Sequence, residues 1–236
     1  MRLIVFIILY VCSYQFSNGQ FEVNYNVNFI GYKTYRTHIS KDALKYYQEQ
    51  LLPSINILNA SEGVLHVCNN QSYFSIIANP KHDLERNIFA QVSIEASSWI
   101  TTTNEAGNMD RRYKRIIVSD YLDESWKIET DHKIIAGYTC YRATKNLVSK
   151  EFPIINRVLE VWFTPEISVP SGFMEATGLP GLVLYYNDQK IEFTAVKIVA
   201  KKSCSISIPK MERISFTSSN KEAAARMQER KQNRKK

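Results

Sequence analysis

The sequence predicts an α+β protein, predominantly antiparallel β, with a curved sheet or partial barrel and one or two short helices. Three observations carry that expectation. Residues Phe21 to Ile30 alternate strictly, with apolar side chains at 21, 23, 25, 27 and 29, as a half-buried strand requires. Eight to eleven short β-rich runs lie between turn-forming residues, without the strand–helix–strand rhythm of a parallel sheet. The 14 Tyr, 11 Phe and 3 Trp among 236 residues supply a real core, while 8 Gly and 7 Pro exclude collagen-like and low-complexity classes.

The chain opens with Arg2, nine apolar residues from Leu3 to Val11, and small residues at Ser17 and Gly19. That pattern reads as a signal peptide over 1–19, leaving Gln20 as the mature N-terminus of a periplasmic or secreted protein. The apolar run is shorter than the about 20 residues a bilayer span needs, and nothing later approaches that length. The expected protein is therefore not membrane-spanning. A competing reading makes Cys12 a lipidated cysteine after Leu9-Tyr10-Val11, but Val11 stands where a small residue belongs.

After the first strand, Ser40 to Leu52 carries a capping serine, Asp42 in the first turn and Leu44, Tyr47, Leu51 and Leu52 at helical spacing. A helix is expected there, ending near Pro53, whose ring cannot continue it. Val64 to Val67 and Tyr73 to Ile77 flank the polar turn Asn69-Asn70-Gln71 and read as a hairpin. A polar link over Asn79 to Asn87 precedes β-rich runs at Phe89 to Ile94 and Ser98 to Thr103. Asn104 to Asp110 reads as a loop, and Arg111 to Asp120 as a strand with a basic start.

Trp126 to Thr144 predicts two strands about a turn near Glu129 to His132. Strands are expected at Val158 to Thr164 and Leu182 to Tyr186. Asn187-Asp188-Gln189 should turn the chain into a strand over Ile191 to Lys201, and Ser203 to Ile208 is read as the last strand. The domain organisation follows: signal peptide 1–19, one β-rich domain over 20–217, and a basic, weakly helical or disordered tail over 218–236.

The formal charge of +7 belongs to the tail. Lys210 to Lys236 holds nine basic residues against three acids, whereas Leu3 to Pro209 balances 20 against 20. No nucleic-acid partner is implied. In the tail, Ser218-Ser219-Asn220 could cap a helix, and Glu222 and Arg226 form an i,i+4 pair in the favourable order. With no apolar stripe, the tail is expected to be dispensable for folding and to make weak, salt-sensitive contact with anionic surfaces.

Processing would leave Cys68, Cys140 and Cys204, of which at most one pair can form; buried free thiols are the alternative. His38, His66, His82 and His132 show no metal-binding spacing, and no phosphate loop, calcium loop or nucleophile elbow is present. No cofactor or metal is expected. A catalytic Cys–His pair assembled in three dimensions remains open at this level.

The most distinctive stretch contains Gly137-Tyr138-Thr139-Cys140, then Trp162-Phe163-Thr164-Pro165-Glu166-Ile167, then Gly178-Leu179-Pro180-Gly181-Leu182-Val183. Pro165 ends a strand by removing a ladder donor, and two glycines around Pro180 make a rigid loop. These elements, in this order, resemble the GLPGLI family of exported Bacteroidetes-type proteins, with Val183 in place of the usual Ile. The resemblance implies an exported envelope protein with no established family activity, and it supplies no catalytic residues.

Candidate binding residues are Trp162, Thr164, Pro165, Glu166, Gly178, Leu179, Pro180 and Gly181. Each also has a plain structural reading as a core aromatic or loop anchor. The leading expectation is a non-enzymatic binding or interaction module for an apolar or extended ligand, or for an envelope protein. A secreted hydrolase with an unrecognised site, and an accessory protein of an outer-membrane complex, are the competing expectations.

Overall fold

The computed structural model describes residues 20–30, 45, 47–82, 87–95, 97–102, 105–119, 125–148, 157–169 and 172–233. The expected signal peptide, Cys12, and the Ser40 to Leu44 part of the expected first helix lie outside them.

Twelve strands form one open, curved sheet in the order β12-β6-β5-β4-β3-β2-β1-β11-β10-β9-β8-β7. The strands are β1 Gln20–Phe29, β2 Glu62–Cys68, β3 Gln71–Ile77, β4 Trp99–Thr102, β5 Ala106–Asp110 and β6 Arg115–Val118. They continue as β7 Lys127–Ile135, β8 Tyr138–Leu147, β9 Arg157–Thr164, β10 Leu182–Asn187, β11 Ile191–Ala200 and β12 Glu212–Ser215. Among the described residues, three α-helices accompany them: α1 Leu52–Asn59, α2 Ile88–Glu95 and α3 Phe216–Asn233. Every ladder is antiparallel except β12 on β6. The mostly antiparallel α+β architecture expected from the sequence is the one observed.

The alternation of β1 places it at the sheet's middle, between β2 and β11, with Phe21, Val23, Tyr25 and Val27 buried. One face of the sheet carries the core. Tyr25, Phe74, Phe173, Tyr186 and Phe193 form its aromatic centre, with Phe173 stacked 4.9 Å from Tyr25 and edge-on 4.7 Å from Phe74. Burying each such ring stabilises the fold by roughly 1.5–3 kcal/mol. Phe173 is not on a strand; it belongs to the connection between β9 and β10, which lies against the core face.

Buried polar side chains hold that connection down. Ser72 Oγ donates to the Gly172 carbonyl at 2.6 Å and Trp126 Nε1 to Thr177 at 2.7 Å, and just beyond the connection Tyr25 OH donates to Val183 on β10 at 2.7 Å. Non-strand backbone in a core needs such partners, because an unpaired buried carbonyl is costly. Glu175 on the same connection meets Arg157 at 2.5 Å and accepts from Tyr186 OH at 2.7 Å.

Several local expectations are corrected. The first helix does not end at Pro53. A wide π turn over Tyr47–Leu51 leads into α1, and Pro53 sits in its first turn, where a missing N–H costs nothing. Phe89 to Ile94 is helix α2 and not strand: Asn87 Oδ1 accepts from Ala90 N at 2.9 Å, and this N-cap outweighs β propensity. The loop expected over Asn104 to Asp110 is largely strand β5. Arg111 to Lys114, read as the start of a strand, is a turn before β6.

The β7–β8 turn falls at Ala136-Gly137, with φ of 49° and 87°, and not at Glu129 to His132. Those polar residues are absorbed by a register shift between Ile128 and His132 on the sheet's exposed edge, where charge deters edge pairing. Ser203 to Ile208 pairs with no strand. Its Cys204 is disulfide-bonded to Cys68, and Ile208 and Met211 pack on Ile100, Met109 and Ile116, on the face opposite the main core. Cys140 is a buried free thiol.

The tail helix α3 begins at Phe216, capped by Ser215, whose Oγ accepts from Ser218 N at 3.1 Å. The capping role expected of Ser218 to Asn220 thus belongs to Ser215. The helix is tied to the sheet by Arg115, only 6% exposed, which donates to Glu222 at 2.6 Å. Arg115 and Arg226 both lie over the Tyr113 ring, 5.0 and 4.9 Å from its centroid.

Candidate functional site

Three regions bear on function: the rim where the sequence motifs meet, the polar face above it, and a cleft at the other half of the sheet. At the rim, Glu166 Oε1 accepts from Thr139 N at 2.8 Å, tying the W-x-T-P-E-I element to Gly137-Tyr138-Thr139-Cys140. Leu182 N donates to the Ile167 carbonyl at 2.9 Å, tying it to the glycine loop. Gly181 is packed on Thr164, where a Cβ would collide with the Thr164 carbonyl. Gly178 has φ of 78°, a left-handed conformation that strains any other residue.

The candidate residues therefore divide. Thr164, Pro165, Glu166 and Gly181 come together in this interlock. Leu179 is buried in the core cluster, while Gly178 and Pro180 are exposed on the loop. Trp162 stands apart, on the opposite face of the sheet from Val161 and Phe163.

That face carries a polar ribbon from β7 to β1. Arg142 donates to Glu129 and Glu160, each at 2.8 Å, and Trp162 Nε1 donates to Glu160 at 3.0 Å. Tyr185 OH donates to Glu192 at 3.0 Å, and Asn28 Nδ2 to the other Glu192 oxygen at 2.6 Å. Lys133 Nζ lies over both rings, 4.0 Å from the Trp162 centroid and 4.5 Å from that of Tyr185. Burial lowers the Lys133 pKa and, as the leading cause, pushes Tyr185 up to about 12. Each carboxylate here is engaged by a cation, ring donor or amide, and Lys133 already covers the aromatic platforms. The ribbon is a satisfied network.

The cleft is built differently. It has a volume of about 790 Å³, within the roughly 300–1,000 Å³ of small-molecule sites. Its floor is Tyr73, Ile100 and Met109, from neighbouring strands β3, β4 and β5. Its wall is the segment after β11, through Ile206, Pro209 and Met211. The Cys68–Cys204 disulfide and His66 close one end, fixing that wall to β2. Arg111, Lys114 and Lys210 stand among its lining residues, which include no Asp or Glu.

None of this was singled out from the sequence. Arg111 and Lys114 read as the start of a strand, Lys210 as part of a solvated tail, and Ser203 to Ile208 as a strand. The only usable signal was the pair of cysteines 136 residues apart. Among the described residues, no group of three or more His, Cys, Asp or Glu could hold a metal ion.

Fold and site define an open, mostly antiparallel β-sheet protein with a disulfide-stapled cleft on the face opposite its main core. No family model matches the chain. A 73-residue stretch is 37% identical to Ribosome-binding factor A of Chlamydia abortus, and a 70-residue stretch is 36% identical to that of Chlamydia pneumoniae. These stretches are 30% and 29% of this chain, which spans 61% and 58% of the length of those curated relatives. Two crystal forms of PNGF-II are similar at 12% and 11% identity, with TM-scores of 0.46 and 0.45. They cover 85% and 86% of this chain, which in turn covers 32% of each PNGF-II chain. No helix among the described residues is long and apolar enough to cross a membrane.

Proposed function

We propose that the chain is an exported, non-enzymatic binding module of the GLPGLI type, and that its ligand site is the disulfide-stapled cleft. The observation that carries this reading is an apolar-floored cleft of about 790 Å³ whose lining holds no carboxylate. Cys68 and Cys204 are bonded to each other and cannot act as thiolate nucleophiles, and the partner of His66 is the Glu22 carboxylate, 3.6 Å away and outside the lining. The most buried carboxylate cluster, Glu175 with Asp188, is engaged by Arg157 and lies under the core.

Other parts of the reading have their own support. A disulfide between Cys68 and Cys204 fits an oxidising compartment, consistent with removal of 1–19 on the way to the periplasm or the exterior. The interlock of the three motif elements accounts for their order in the chain, which supports the family resemblance. The helix over 216–233 is rich in Lys and Arg and would add weak contact with anionic envelope surfaces.

The test is binding of an uncharged apolar fluorophore, N-phenyl-1-naphthylamine, to the full chain. Saturable enhancement that is lost in Ile206→Asp, which puts a charge on the cleft wall, supports the reading. No enhancement, or enhancement unchanged by the substitution, removes the cleft as the ligand site.

A further inference from the structure

We infer that the cleft selects anionic amphiphiles: an apolar chain lies on its floor and a terminal carboxylate is held at its basic rim. The inference rests on the binding reading above and adds the charge of the ligand. Its basis is a contrast between two kinds of cation in this protein. Several cations elsewhere on the sheet are matched: Arg142 with Glu129 and Glu160, Arg157 with Glu175, Arg213 with Glu105, Lys201 with Glu22. Arg111, Lys114 and Lys210 form no ion pair among the described residues; Arg111 donates at 3.1 Å to the Tyr73 hydroxyl, at the cleft itself.

Three exposed cations from two separate segments, the β5–β6 turn and the strap before β12, thus gather on one apolar cleft without a neutralising acid. Their mutual repulsion is relieved when an anion binds between them, and a carboxylate held beside low-dielectric walls interacts more strongly than in bulk water. Ile100, Met109 and Met211 offer an alkyl chain a continuous apolar bed, with methionine side chains that adapt to its shape. A polar anion alone would leave that bed unused, and a neutral chain would leave the cations unrelieved.

The experiment is titration calorimetry of the full chain with decanoate below its micellar concentration, with decanol, and with inorganic phosphate. Decanoate should bind at one saturable site, decanol about tenfold or more weakly, and phosphate weakly or not at all. The double variant Arg111→Gln, Lys210→Gln should weaken decanoate about tenfold and leave decanol unchanged. Arg112→Gln, also exposed but outside the lining, should change neither. Equal affinity for decanoate and decanol would overturn the charge selection while leaving the binding reading intact. Failure of both would overturn the two together. Equal weakening by Arg112→Gln would reduce the effect to general surface charge and overturn the assignment to this rim, and tighter binding of phosphate than of decanoate would overturn the amphiphile.

Discussion

Gly181 sits so close to Thr164 that a Cβ on it would collide with the Thr164 carbonyl oxygen and crowd the Pro165 Cα. Two motifs separated by a whole connection are therefore one structural unit. The Thr164-Pro165 end of β9 is the surface on which the glycine loop turns into β10, and Leu182 pairs with Thr164 immediately after it.

Gly181→Ala should cost roughly 1–3 kcal/mol, since backbone atoms must move to admit a methyl. Gly178→Ala meets no atom within 4 Å and pays only for its φ of 78°, about 1 kcal/mol. Urea midpoints of the two variants should fall in that order. The reverse order would show that the loop's conformation, and not its contact with Thr164, is the tighter requirement.

Acid should weaken the polar ribbon. Burial alone would raise the Glu160 carboxyl, but hydrogen bonds from Arg142 and Trp162 outweigh it and hold its pKa below the ordinary 4.5. A carboxyl depressed on folding contributes stability above its unfolded pKa and loses it as pH falls through the folded value. The urea midpoint should drop between pH 5 and about pH 3. Glu160→Gln should lower the midpoint at pH 7 and flatten that drop. An unchanged slope in the variant would place the acid sensitivity elsewhere.

The cysteines should divide sharply in chemistry. Burial raises the Cys140 thiol to about 11, so it should resist thiol reagents at pH 8 until the chain unfolds. Reducing Cys68–Cys204, or Cys204→Ser, frees the cleft wall and should cost roughly 2–4 kcal/mol. It should also weaken the apolar probe. One thiol per chain should titrate in denaturant before reduction and three after, as mass-tagged protein processed at Gly19 would report. Three reactive thiols without reductant would remove the staple.

Deleting the chain beyond Thr217 takes Glu222 and Ser219 away from the buried Arg115. The melting temperature should fall, and Arg115→Met in the shortened chain should recover part of the loss, because it removes a charge left without its main partner. Unchanged melting after truncation would mean that the helix rests on the sheet without supporting it.

Strand alternation was legible wherever burial was one-sided. β1, the β2–β3 hairpin, β9, β10 and β11 stand where the period-two pattern put them, because a slip of one residue would turn Tyr25 or Phe193 into water. Pattern failed where a local contact overrode propensity. Asn87 captured the Ala90 amide and made a helix of a β-prone run, and a two-residue turn at Ala136-Gly137 displaced the more polar Glu129 to His132. Ile206 and Ile208 alternate like a strand, but their apolar contacts are met by lying across a sheet face.

By itself, the sequence determined the antiparallel α+β class, the central strands, and the three ordered motifs. These depend on periodicity and on glycine and proline geometry, which act within a few residues. Only the tertiary structure decided that Thr164 and Gly181 interlock, that Cys68 rather than Cys140 bonds Cys204, and that Arg111, Lys114 and Lys210 share one apolar cleft. Those relationships reach beyond a single turn, up to the 136 positions between Cys68 and Cys204. They are set by which face of the curved sheet each connection crosses, a choice made by packing area and charge and not by local pattern.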